Sequence, residues 1–392
     1  MINLEESNLL IAQLQSLTKT EKLPLNDCLG RVLAQDVLAD IHQPAFDKSA
    51  MDGYACRRED LNIPLQVIGV IAAGTLVKKP IQQGECYRIF TGAPVPPGAN
   101  CVVMQEDTEL NSDGLMIFKA QKTNDNICRL GEDCKIGEKV LEMGTVIRPQ
   151  HLATLAGYGL VMPEVFCRVS VALFCSGSEL IEPVYQPSGA MIRNSNASQL
   201  MGQMLAIGAS PDYKGIVTDD LEQISDALKS NIGKYDVIMI TGGASVGDFD
   251  FIPTVLKTLG AEVMISSLNI QPGKPVLLAK IDQTYIVGLS GNPVSSFLQT
   301  KLLVEPMLLK LMGANCYLPK MIKIPLFADV SRKKGNRKLF LPAKINEMGE
   351  GQTLSFNGSA HLLSLNLADG FIVMDPGITM LKKLDLVPML LI

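Results

Sequence analysis

The sequence has few histidines and no paired cysteine motif, so it lacks the usual ligands of transition-metal sites. The three histidines among 392 residues, His42, His151 and His361, do not cluster, and the nine cysteines include no CxxC pair. Cys128 and Cys134 have no histidine near them in the sequence to complete a zinc site. This pattern argues against histidine-based metal catalysis, and dispersed cysteines are typical of a reducing cytoplasm.

Charge and hydropathy also give no sign of a nucleic-acid or membrane partner. The formal net charge is −5, so an anionic ligand would need a local positive pocket. No uncharged apolar run reaches the length of a membrane span. The first ten residues, MINLEESNLL, carry acids where a secretion signal has bases. We therefore expect a cytoplasmic protein without a signal peptide.

The chain length and the local patterns predict several domains. A chain of 392 residues is too long for one hydrophobic core and predicts roughly two to four domains. Residues 4–17 are expected to form an amphipathic helix that Asn3 caps, with Glu6 three residues on. Short strands separated by Gly and Pro between Pro64 and Thr108, which continue over 113–148, predict a separate β domain. Strands alternating with helices over 168–313 predict a βαβ parallel sheet, and the C-terminal part predicts a small β-barrel or sandwich.

One stretch, Asp236–Phe251, carries the clearest signal for a ligand site. Four apolar residues, 237–240, are typical of a strand buried on both faces of a parallel sheet. Ligands of such sheets bind beyond the carboxyl ends of the strands, where backbone N–H groups hold phosphate and carboxylates hold Mg²⁺. The alternative is a glycine turn with two solvated aspartates. The residues beyond the strand that would form the site are Gly242, Gly243, Ser245, Gly247, Asp248 and Asp250.

Three further loops are expected to meet this stretch if the strands form one parallel sheet. They are CSGSEL (175–180), QPGKPV (271–276) and SGNPVSS (290–296). Glycine-lined backbone with both acids and a base suits a nucleotide or phosphate ester bound with Mg²⁺. The side chains that these loops contribute are Ser176, Glu179, Lys274 and Ser295.

Eight ordered motifs resemble one protein family, the molybdopterin molybdenumtransferases or MoeA family, which includes the E domain of gephyrin. The resemblance covers nearly the whole chain and implies four domains: a helical hinge and dimerisation domain, a β domain, a three-layer MogA/MoaB-like α/β domain and a C-terminal β-barrel. Their expected bounds are 1–42 with 137–167, 43–136, 168–313 and 318–392. The motifs are KSAMDGYA (48–55), IFTGAPVPPGANCVVMQEDT (89–108), RLGEDCKIG (129–137), SGSEL (176–180), IRNSN (192–196), TGGASVGDFDF (241–251), PGKP (272–275) and SGNPVS (290–295).

The resemblance implies the last step of molybdenum cofactor synthesis. Adenylylated molybdopterin is cleaved with Mg²⁺ to release AMP, and molybdate enters the dithiolene. The family implies an elongated homodimer whose site lies between the α/β domain of one subunit and the β domain of the other. Asp52, Thr91 and Asp133 would then face a partner's cleft. The alternatives are a simple turn at Asp52, a hydroxyl at Thr91 that satisfies a local backbone group, and a solvated surface pair at Glu132 and Asp133.

The same resemblance implies roles for residues of the α/β domain. Asp219 and Asp250 would handle the metal and the pyrophosphate with Asp248 as a further metal ligand, and Glu179 would be a cleft acid. Lys274 would bind the oxyanion, and Ser295 is expected to cap the helix that follows it. The alternative for Glu179 is a carboxylate that accepts from a nearby backbone N–H. The alternative for Lys274 is an exposed, solvated side chain. The remaining residues expected to bind substrate are Ser176, Gly242, Gly243, Ser245, Gly247, Asn292, Pro293 and Ser359.

Four positions depart from the family pattern. Gln271 and Ser267 stand where lysines are usual, Ser290 where the turn has proline, and Pro342 where an arginine is expected. Loss of two positive charges predicts weak molybdate binding, which Arg337 or Lys338 would offset. The departures leave open a scaffold homologue that binds molybdopterin but inserts molybdate poorly. An adenylyltransferase acting one step earlier would need only the α/β domain. Proteins that deliver or receive the cofactor are further candidate partners.

Overall fold

A computed structural model describes residues 1–17, 19–242, 251–355, 358 and 360–392 of the chain. Several residues that the sequence assigns to the site lie outside these ranges, so the structure does not test their predicted positions. Those that lie outside the described residues are Gly243, Ser245, Gly247, Asp248, Asp250 and Ser359.

The described residues form strands and helices throughout. The strands are β1 (Thr20–Lys22), β2 (Val37–Leu38), β3 (Lys48–Ser49), β4 (Gly53–Cys56), β5 (Leu65–Ile71), β6 (Glu85–Ile89), β7 (Cys101–Met104), β8 (Thr108–Leu110), β9 (Leu115–Phe118), β10 (Ile127–Cys128), β11 (Lys139–Leu141), β12 (Glu164–Phe166), β13 (Ser170–Ser176), β14 (Leu180–Ile181), β15 (Ile192–Arg193), β16 (Ser210–Val217), β17 (Val237–Thr241), β18 (Glu262–Ile265), β19 (Ile270–Gln271), β20 (Leu277–Ile281), β21 (Thr284–Leu289), β22 (Met321–Pro325), β23 (Val330–Ser331), β24 (Lys338–Ile345), β25 (Gly351–Thr353), β26 (Gly370–Met374), β27 (Met380–Leu381) and β28 (Leu386–Leu391). The α-helices are α1 (Leu4–Ala12), α2 (Pro149–Gly157), α3 (Ser195–Ala206), α4 (Leu221–Lys229), α5 (Phe251–Thr258), α6 (Pro293–Gln299) and α7 (Glu305–Leu311). Short 3₁₀ turns lie at Leu25–Asp27, Arg58–Asp60, Gln105–Asp107 and Leu362–Leu365.

The first helix begins where the sequence predicts but is shorter. The Asn3 side chain accepts from the Glu6 N–H at 2.7 Å, and the Glu6 carboxylate accepts from the Asn3 N–H at 2.8 Å. This reciprocal capping box satisfies two N–H groups that the helix leaves free. The helix ends at Ala12 rather than at residue 17. Among the described residues, no helix is both long and apolar enough to cross a membrane.

The described chain forms two compact units, so the four-domain division stays a prediction. The smaller unit comprises 36–142 and 150–161, and the larger comprises 1–35, 143–149 and 162–392. The smaller unit contains a six-stranded sheet in the order β7-β4-β6-β5-β9-β8. The sheet is antiparallel except at β5 and β6. This confirms the β-rich character of the region predicted over 43–136.

The larger unit is built around a mixed six-stranded sheet, in the order β16-β13-β17-β21-β20-β18. The prediction of a parallel sheet is correct for the four strands from β16 to β21. It is wrong at the other edge, where β20 runs antiparallel to both β21 and β18. The reason is the connection: two residues, Asp282 and Gln283, join β20 to β21, and so short a turn permits only an antiparallel hairpin.

Both faces of this sheet are covered by helices, as the three-layer prediction requires. All five residues of β17 are buried. Val237 and Met239 face one core, which also contains Leu200 of α3 and Leu298 of α6. Ile238 and Ile240 face the second core, beneath α4 and α5. A strand with apolar residues on both faces is stable only when helices cover both.

The helical stretch that follows residue 292 is interrupted. A π-helical turn, Thr300–Val304, separates α6 from α7. The Glu305 N–H donates to the Thr300 carbonyl, five residues back, instead of the usual four. Pro306 has no N–H to donate, so the regular hydrogen-bond ladder cannot continue there. The turn leaves Gln299 as the last residue of α6.

The C-terminal strands form a second mixed sheet in the larger unit. Its order is β19-β24-β26-β28-β22, and β25 also pairs with β24. A parallel bridge joins Leu326, just after β22, to Gly351 in β25. The closed barrel itself stays a prediction. β19 comes from the 268–276 connection and runs parallel to β24, with Gln271 opposite Leu339. This pairing joins the α/β sheet's loops to the C-terminal sheet.

Gly242 provides a test of how tightly the strand ends approach each other. Its φ is +88°, and a Cβ there would lie 2.1 Å from the Ser176 carbonyl oxygen. We expect Gly242→Ala to reduce the free energy of unfolding by more than about 2 kcal/mol, because it adds both backbone strain and overlap. Gly202→Ala is the matched control: it lies inside α3, where a Cβ would meet nothing within 4 Å.

The Gly202→Ala control should raise the free energy of unfolding by about 0.5–1 kcal/mol, because alanine is more favourable than glycine inside a helix. Melting temperatures measured side by side would check both signs. Equal melting temperatures for the two variants would contradict the close approach.

Candidate functional site

A cleft of about 480 Å³ lies in the larger unit, beyond the carboxyl ends of the parallel strands. Its position agrees with the rule for open α/β sheets. The cleft brings together residues from loops that are far apart in the sequence, as the sequence predicts. The expected site residues that line it are Ser176, Glu179, Asp219, Gly242, Asn292 and Pro293.

Asp219 is held at the end of β16 by the adjacent strand β13. The Ser176 hydroxyl donates to Asp219 Oδ1 at 2.5 Å, and the Ser178 N–H lies 3.3 Å from Oδ2. The next residue, Asp220, is used structurally: its carboxylate accepts from the Gln223 N–H at 2.9 Å and caps α4. Two consecutive aspartates therefore have different roles, and only Asp219 lines the cleft.

The floor of the cleft is formed by backbone that comes unusually close together. Gly242 packs against the Ser176 carbonyl, and a Cβ on Gly291 would lie 3.6 Å from the Gly242 Cα. The Asn196 side-chain amide donates to the Gly291 carbonyl at 2.8 Å and also lies 3.5 Å from the Thr241 hydroxyl. Asn196 is only 8% exposed. It therefore connects the end of β17 to the loop after β21.

Three cleft residues were missed as site residues, although the motif IRNSN contains them. Asn196 joins two loops, and Asn194 caps α3 by accepting from the Ala197 N–H at 3.2 Å. Arg193 lines the cleft and donates to the Tyr185 carbonyl at 3.0 Å. Its guanidinium also donates to the Gln186 side chain at 3.0 Å. The matching motif was the signal, but a sequence motif does not say which side chain faces a cavity.

A second pocket, of about 350 Å³, adjoins the cleft and shares Pro275, Ser290 and Asn292 with it. Lys274 and Ser295 line this pocket, as predicted for an oxyanion site. The predicted helix cap at Ser295 is wrong. Asn292 is the N-cap of α6 and Pro293 follows it, which places Ser295 inside the first turn at 3% exposure. Proline is favoured at the first helical position, so the helix begins earlier than expected.

Arg337 also lines the second pocket, beside Gln271. The β19–β24 pairing brings it there, and its guanidinium lies 3.4 Å from the Ile270 carbonyl. Lys338, the other candidate for offsetting the lost charges, is paired with Glu5 at 2.7 Å and Asp375 at 3.3 Å. Arg337 is therefore the residue whose charge reaches the pocket.

A third, basic pocket of about 410 Å³ continues from Gln271 and Arg337. Lys333 and Lys334 line it and are exposed. Arg332 also lines it, but its guanidinium donates to the backbone carbonyls of Arg337, Asp375 and Ile378 at 2.6–2.7 Å. Its role in the described structure is therefore to hold the loop before β24, whereas the lysines add positive charge near the second pocket.

In the smaller unit, Asp52 and Thr91 form a hydrogen-bonded pair. The Thr91 hydroxyl and N–H donate to Asp52 Oδ1 at 2.6 and 2.8 Å, and these bonds lower the pKa of Asp52. The alternative that this hydroxyl satisfies a backbone group is wrong, because it bonds a carboxylate. Asp133 is exposed, and its N–H donates to the Gln43 carbonyl at 2.9 Å. Neighbouring Glu132 accepts from the Arg129 N–H at 2.7 Å, a local turn contact.

The described part of the cleft offers carboxylate oxygens, which are the ligands that a hard cation such as Mg²⁺ prefers. Within the described ranges, no group of three or more His, Cys, Asp or Glu side chains is arranged to hold a metal ion. Of the three predicted Mg²⁺ ligands, Asp219 is described, and it presents carboxylate oxygens to the cleft. Mg²⁺ is usually held by one or two carboxylates together with substrate phosphates. Asp219 is thus suited to hold the ion with a phosphate ligand.

Comparison with known proteins agrees with this architecture. Residues 2–159 match a family described as "MoeA N-terminal region (domain I and II)", and residues 172–310 match a "Probable molybdopterin binding domain". The molybdopterin molybdenumtransferase of Staphylococcus epidermidis is 33% identical over 383 residues, covering 95% of this chain and 91% of that protein. The Bacillus subtilis protein of the same name is 36% identical and covers 78% of this chain and 74% of that protein.

A solved structure shares the fold along the full length. The crystal structure of the molybdopterin biosynthesis MoeA protein of Pyrococcus horikoshii superposes with a TM-score of 0.83. It is 29% identical, and the superposition covers 100% of both chains. The resemblance that the eight motifs carry is therefore confirmed, and the chain belongs to the molybdopterin molybdenumtransferase family.

Proposed function

We propose that this protein is a molybdenum insertase. It cleaves adenylylated molybdopterin to release AMP and inserts molybdate into the dithiolene of molybdopterin. The observation that carries the proposal is the pair of adjoining pockets at one sheet edge. The first contains the acids Glu179 and Asp219, the second contains the bases Lys274 and Arg337, and three loop residues belong to both. A substrate that carries phosphate at one end and a dithiolene that accepts molybdenum at the other would need both pockets.

The first pocket is proposed to bind the nucleotide end of the substrate. Hydrolysis breaks the phosphoanhydride bond between AMP and the molybdopterin phosphate, with water as the nucleophile. Asp219 and Glu179 are the described carboxylates that line this pocket, and the Gly242 backbone lines it with them. Ser176 orients the Asp219 carboxylate through its 2.5 Å hydrogen bond. Ser176 is thus a positioning residue for Asp219.

Mg²⁺ is proposed to bind at Asp219 together with Asp248 and Asp250, which lie outside the described residues. When bound, the ion supplies positive charge that neutralises the phosphate oxygens. Asp219 contributes an oxygen ligand, and its bond from Ser176 leaves its Oδ2 edge with one weak contact from the Ser178 N–H. That edge is the one available to a cation.

The second pocket is proposed to bind molybdate next to the dithiolene. Molybdate carries two negative charges, and charge-assisted hydrogen bonds are about twice as strong as neutral ones. Lys274 is exposed, and its side chain makes no hydrogen bond or ion pair with the described residues, so its ammonium is available to an anion. Arg337 supplies a second charge, and Ser295 a hydroxyl. Gln271 adds a neutral donor where the family usually has lysine.

The protein is proposed to act as a homodimer in which Asp52, Thr91 and Asp133 complete the cleft of a partner subunit. The Asp52–Thr91 pair supports this role, because two hydrogen bonds to Oδ1 fix the orientation of an exposed carboxylate and also lower its pKa. An ionised carboxylate at an exposed position is available to a ligand of another subunit. Other proteins of cofactor synthesis are further proposed partners.

Turnover of adenylylated molybdopterin tests the whole proposal. An insertase releases AMP and forms molybdenum cofactor when Mg²⁺ and molybdate are both supplied. The substitutions at Gln271 and Pro342 favour one second candidate, a homologue that binds molybdopterin but inserts molybdate poorly. That homologue would release AMP, or bind substrate, without forming cofactor at any molybdate concentration. A protein that neither releases AMP, nor forms cofactor, nor binds adenylylated molybdopterin would contradict both candidates.

The two adjacent aspartates provide the first test. We expect Asp219→Asn to slow AMP release by about 10²-fold or more. The charged ligands hold the metal ion, which stabilises the transition state by several kcal/mol. Asp220→Asn is the control: it keeps a good N-cap on α4 and lies outside the cleft. Its AMP release should match the wild type. Similar rates for the two variants would remove Asp219 from the metal site.

The basic pocket provides the second test. We expect Arg337→Gln to raise the half-saturating molybdate concentration by about tenfold, and Gln271→Lys to lower it, because each changes one charge on the pocket. Maximal cofactor formation should change little, since binding is affected more than chemistry. Lys344→Gln is the control, because this exposed lysine of β24 lines neither pocket. If Gln271→Lys has no effect or raises the concentration, the Gln271 amide lies outside the molybdate site.

The shared site provides the third test. Light scattering should give twice the subunit mass of 42.4 kDa. Asp52→Ala and Asp219→Ala should each be inactive alone, whereas mixed and re-equilibrated subunits should regain part of the activity. A mixed dimer has one cleft with both carboxylates intact. A persistent monomer, or mixtures as inactive as either variant, would rule out a site completed by the partner.

A further inference from the structure

Gln299 is a polar side chain with no exposure to solvent, at the end of α6. A buried amide without partners is strongly destabilising, so its hydrogen bonds indicate what the side chain does. Gln299 lines none of the pockets described above. It lies behind the wall of the molybdate pocket rather than in it.

The Gln299 amide joins two loops of the chain. Its Oε1 accepts from the Ser290 N–H at 2.9 Å. Its Nε2 donates to the Gly273 carbonyl at 2.9 Å and to the Pro275 carbonyl at 2.5 Å. Both N–H groups and the carbonyl oxygen of the amide are thus used. The orientation is fixed, because the oxygen must face the N–H and the nitrogen must face the two carbonyls.

These bonds hold the backbone on both sides of Lys274. Gly273 and Pro275 flank the lysine in sequence, and Gln299 bonds the carbonyl of each. The same side chain bonds Ser290, at the start of the turn that provides Asn292 to the pocket. One buried amide therefore sets the distance between the lysine loop and the turn that faces it.

Gly273 shows how closely the amide and the loop are packed. Its φ is +93°, and a Cβ there would lie 3.1 Å from Gln299 Cγ. A side chain at this position would push against Gln299 and strain the backbone. The loop is thus shaped to accommodate Gln299 as well as to bond with it.

Gln299 also accounts for one of the departures from the family pattern. The turn usually has proline at the position of Ser290, and proline has no N–H and a restricted φ. Serine introduces an N–H that is almost buried, since Ser290 is 8% exposed. A buried N–H needs an acceptor, and Gln299 Oε1 is that acceptor. Ser290 and Gln299 form a matched pair, in which a hydrogen bond replaces the stiffness of proline.

We propose that Gln299 is a positioning residue that holds the Lys274 loop and the Ser290 turn at the spacing needed to bind molybdate. It does not touch the anion, and its effect passes through the two loops. The inference rests on the proposed function, because it assumes that the pocket lined by Lys274 and Arg337 binds molybdate.

The main test replaces the amide with an unbranched apolar side chain. Gln299→Met keeps similar volume but loses all three hydrogen bonds. We expect it to raise the half-saturating molybdate concentration by about tenfold, the effect of losing one or two net hydrogen bonds. The maximal rate should stay within about twofold of the wild type, because the reacting groups are retained. Calorimetry with molybdate alone should show the same loss of affinity.

Two controls separate positioning from a general loss of stability. Leu303→Ala removes a fully buried side chain of the following π-helical turn and should lower the melting temperature without changing the half-saturating molybdate concentration. Thr300→Val alters the next buried residue, whose hydroxyl has no hydrogen-bond partner within the described ranges, and should change neither. A rise in the half-saturating molybdate concentration in either control as large as that in Gln299→Met would overturn the inference.

A double-mutant cycle tests the pairing with Ser290. Ser290→Pro removes the N–H that donates to Gln299 Oε1. Gln299→Met should therefore weaken molybdate binding less in the Ser290→Pro background than in the wild type. Equal effects in the two backgrounds would overturn the matched pair. This cycle also keeps the inference testable if Gln299→Met alone folds poorly, because a stiffer turn should restore its folding.

The same measurements distinguish the two proposals. If the wild type neither binds molybdate nor forms cofactor, the proposed function fails and this inference fails with it. If the wild type does both and Gln299→Met binds molybdate equally well, only the inference is overturned.

Discussion

The site depends on a close contact between two strand ends, where Gly242 packs its Cα against the Ser176 carbonyl. The contact is possible because Gly242 adopts a left-handed φ and has no side chain. It lets β13 and β17 end side by side, and the Ser176 hydroxyl at the end of β13 reaches Asp219, just after the neighbouring strand β16. Asn196 extends the same arrangement to Gly291. The cleft is therefore a product of backbone packing, and the side chains take their positions from it.

A second constraint joins the α/β sheet to the C-terminal strands. The two residues of β19 lie in a loop of the α/β region but pair with β24. This places Arg337 next to Gln271, so a charge from one sheet enters a pocket formed by the loops of the other. The pocket can thus lose a lysine at one position and still carry two positive charges. Its chemistry is shared between two parts of the chain that are separated by about 60 residues.

The two pockets differ in how their charges are held. Asp219 is fixed by hydrogen bonds from Ser176 and Ser178, which suits a ligand that must meet a metal in a defined geometry. Lys274 is exposed and its side chain makes no hydrogen bond or ion pair with the described residues, while its flanking carbonyls are bonded to buried Gln299. A lysine ammonium on a flexible stem can adjust to an anion while the backbone around it stays fixed. Acids held by hydrogen bonds and a lysine on a fixed loop suit the proposed cleavage in one pocket and the proposed delivery of an oxyanion from the other.

Much of this protein follows from its sequence because the relevant signals are local. The capping box of Asn3 and Glu6 and the buried strand before Gly242 each depend on residues within a few positions of one another. The convergence of the glycine-rich loops also follows, since parallel strands end at one edge. The motifs were specific enough to identify the family, because eight of them occur in order.

The tertiary structure alone decided which residues meet across long separations. It paired Ser176 with Asp219, brought Arg337 rather than Lys338 to the second pocket, and gave Gln299 its three partners. These choices depend on strand register and on which helix face is buried. Nothing within a few residues of Gln299 distinguishes it from a solvated glutamine. A hydrogen bond between distant residues is decided by packing, because the local sequence offers each polar group several partners of similar energy.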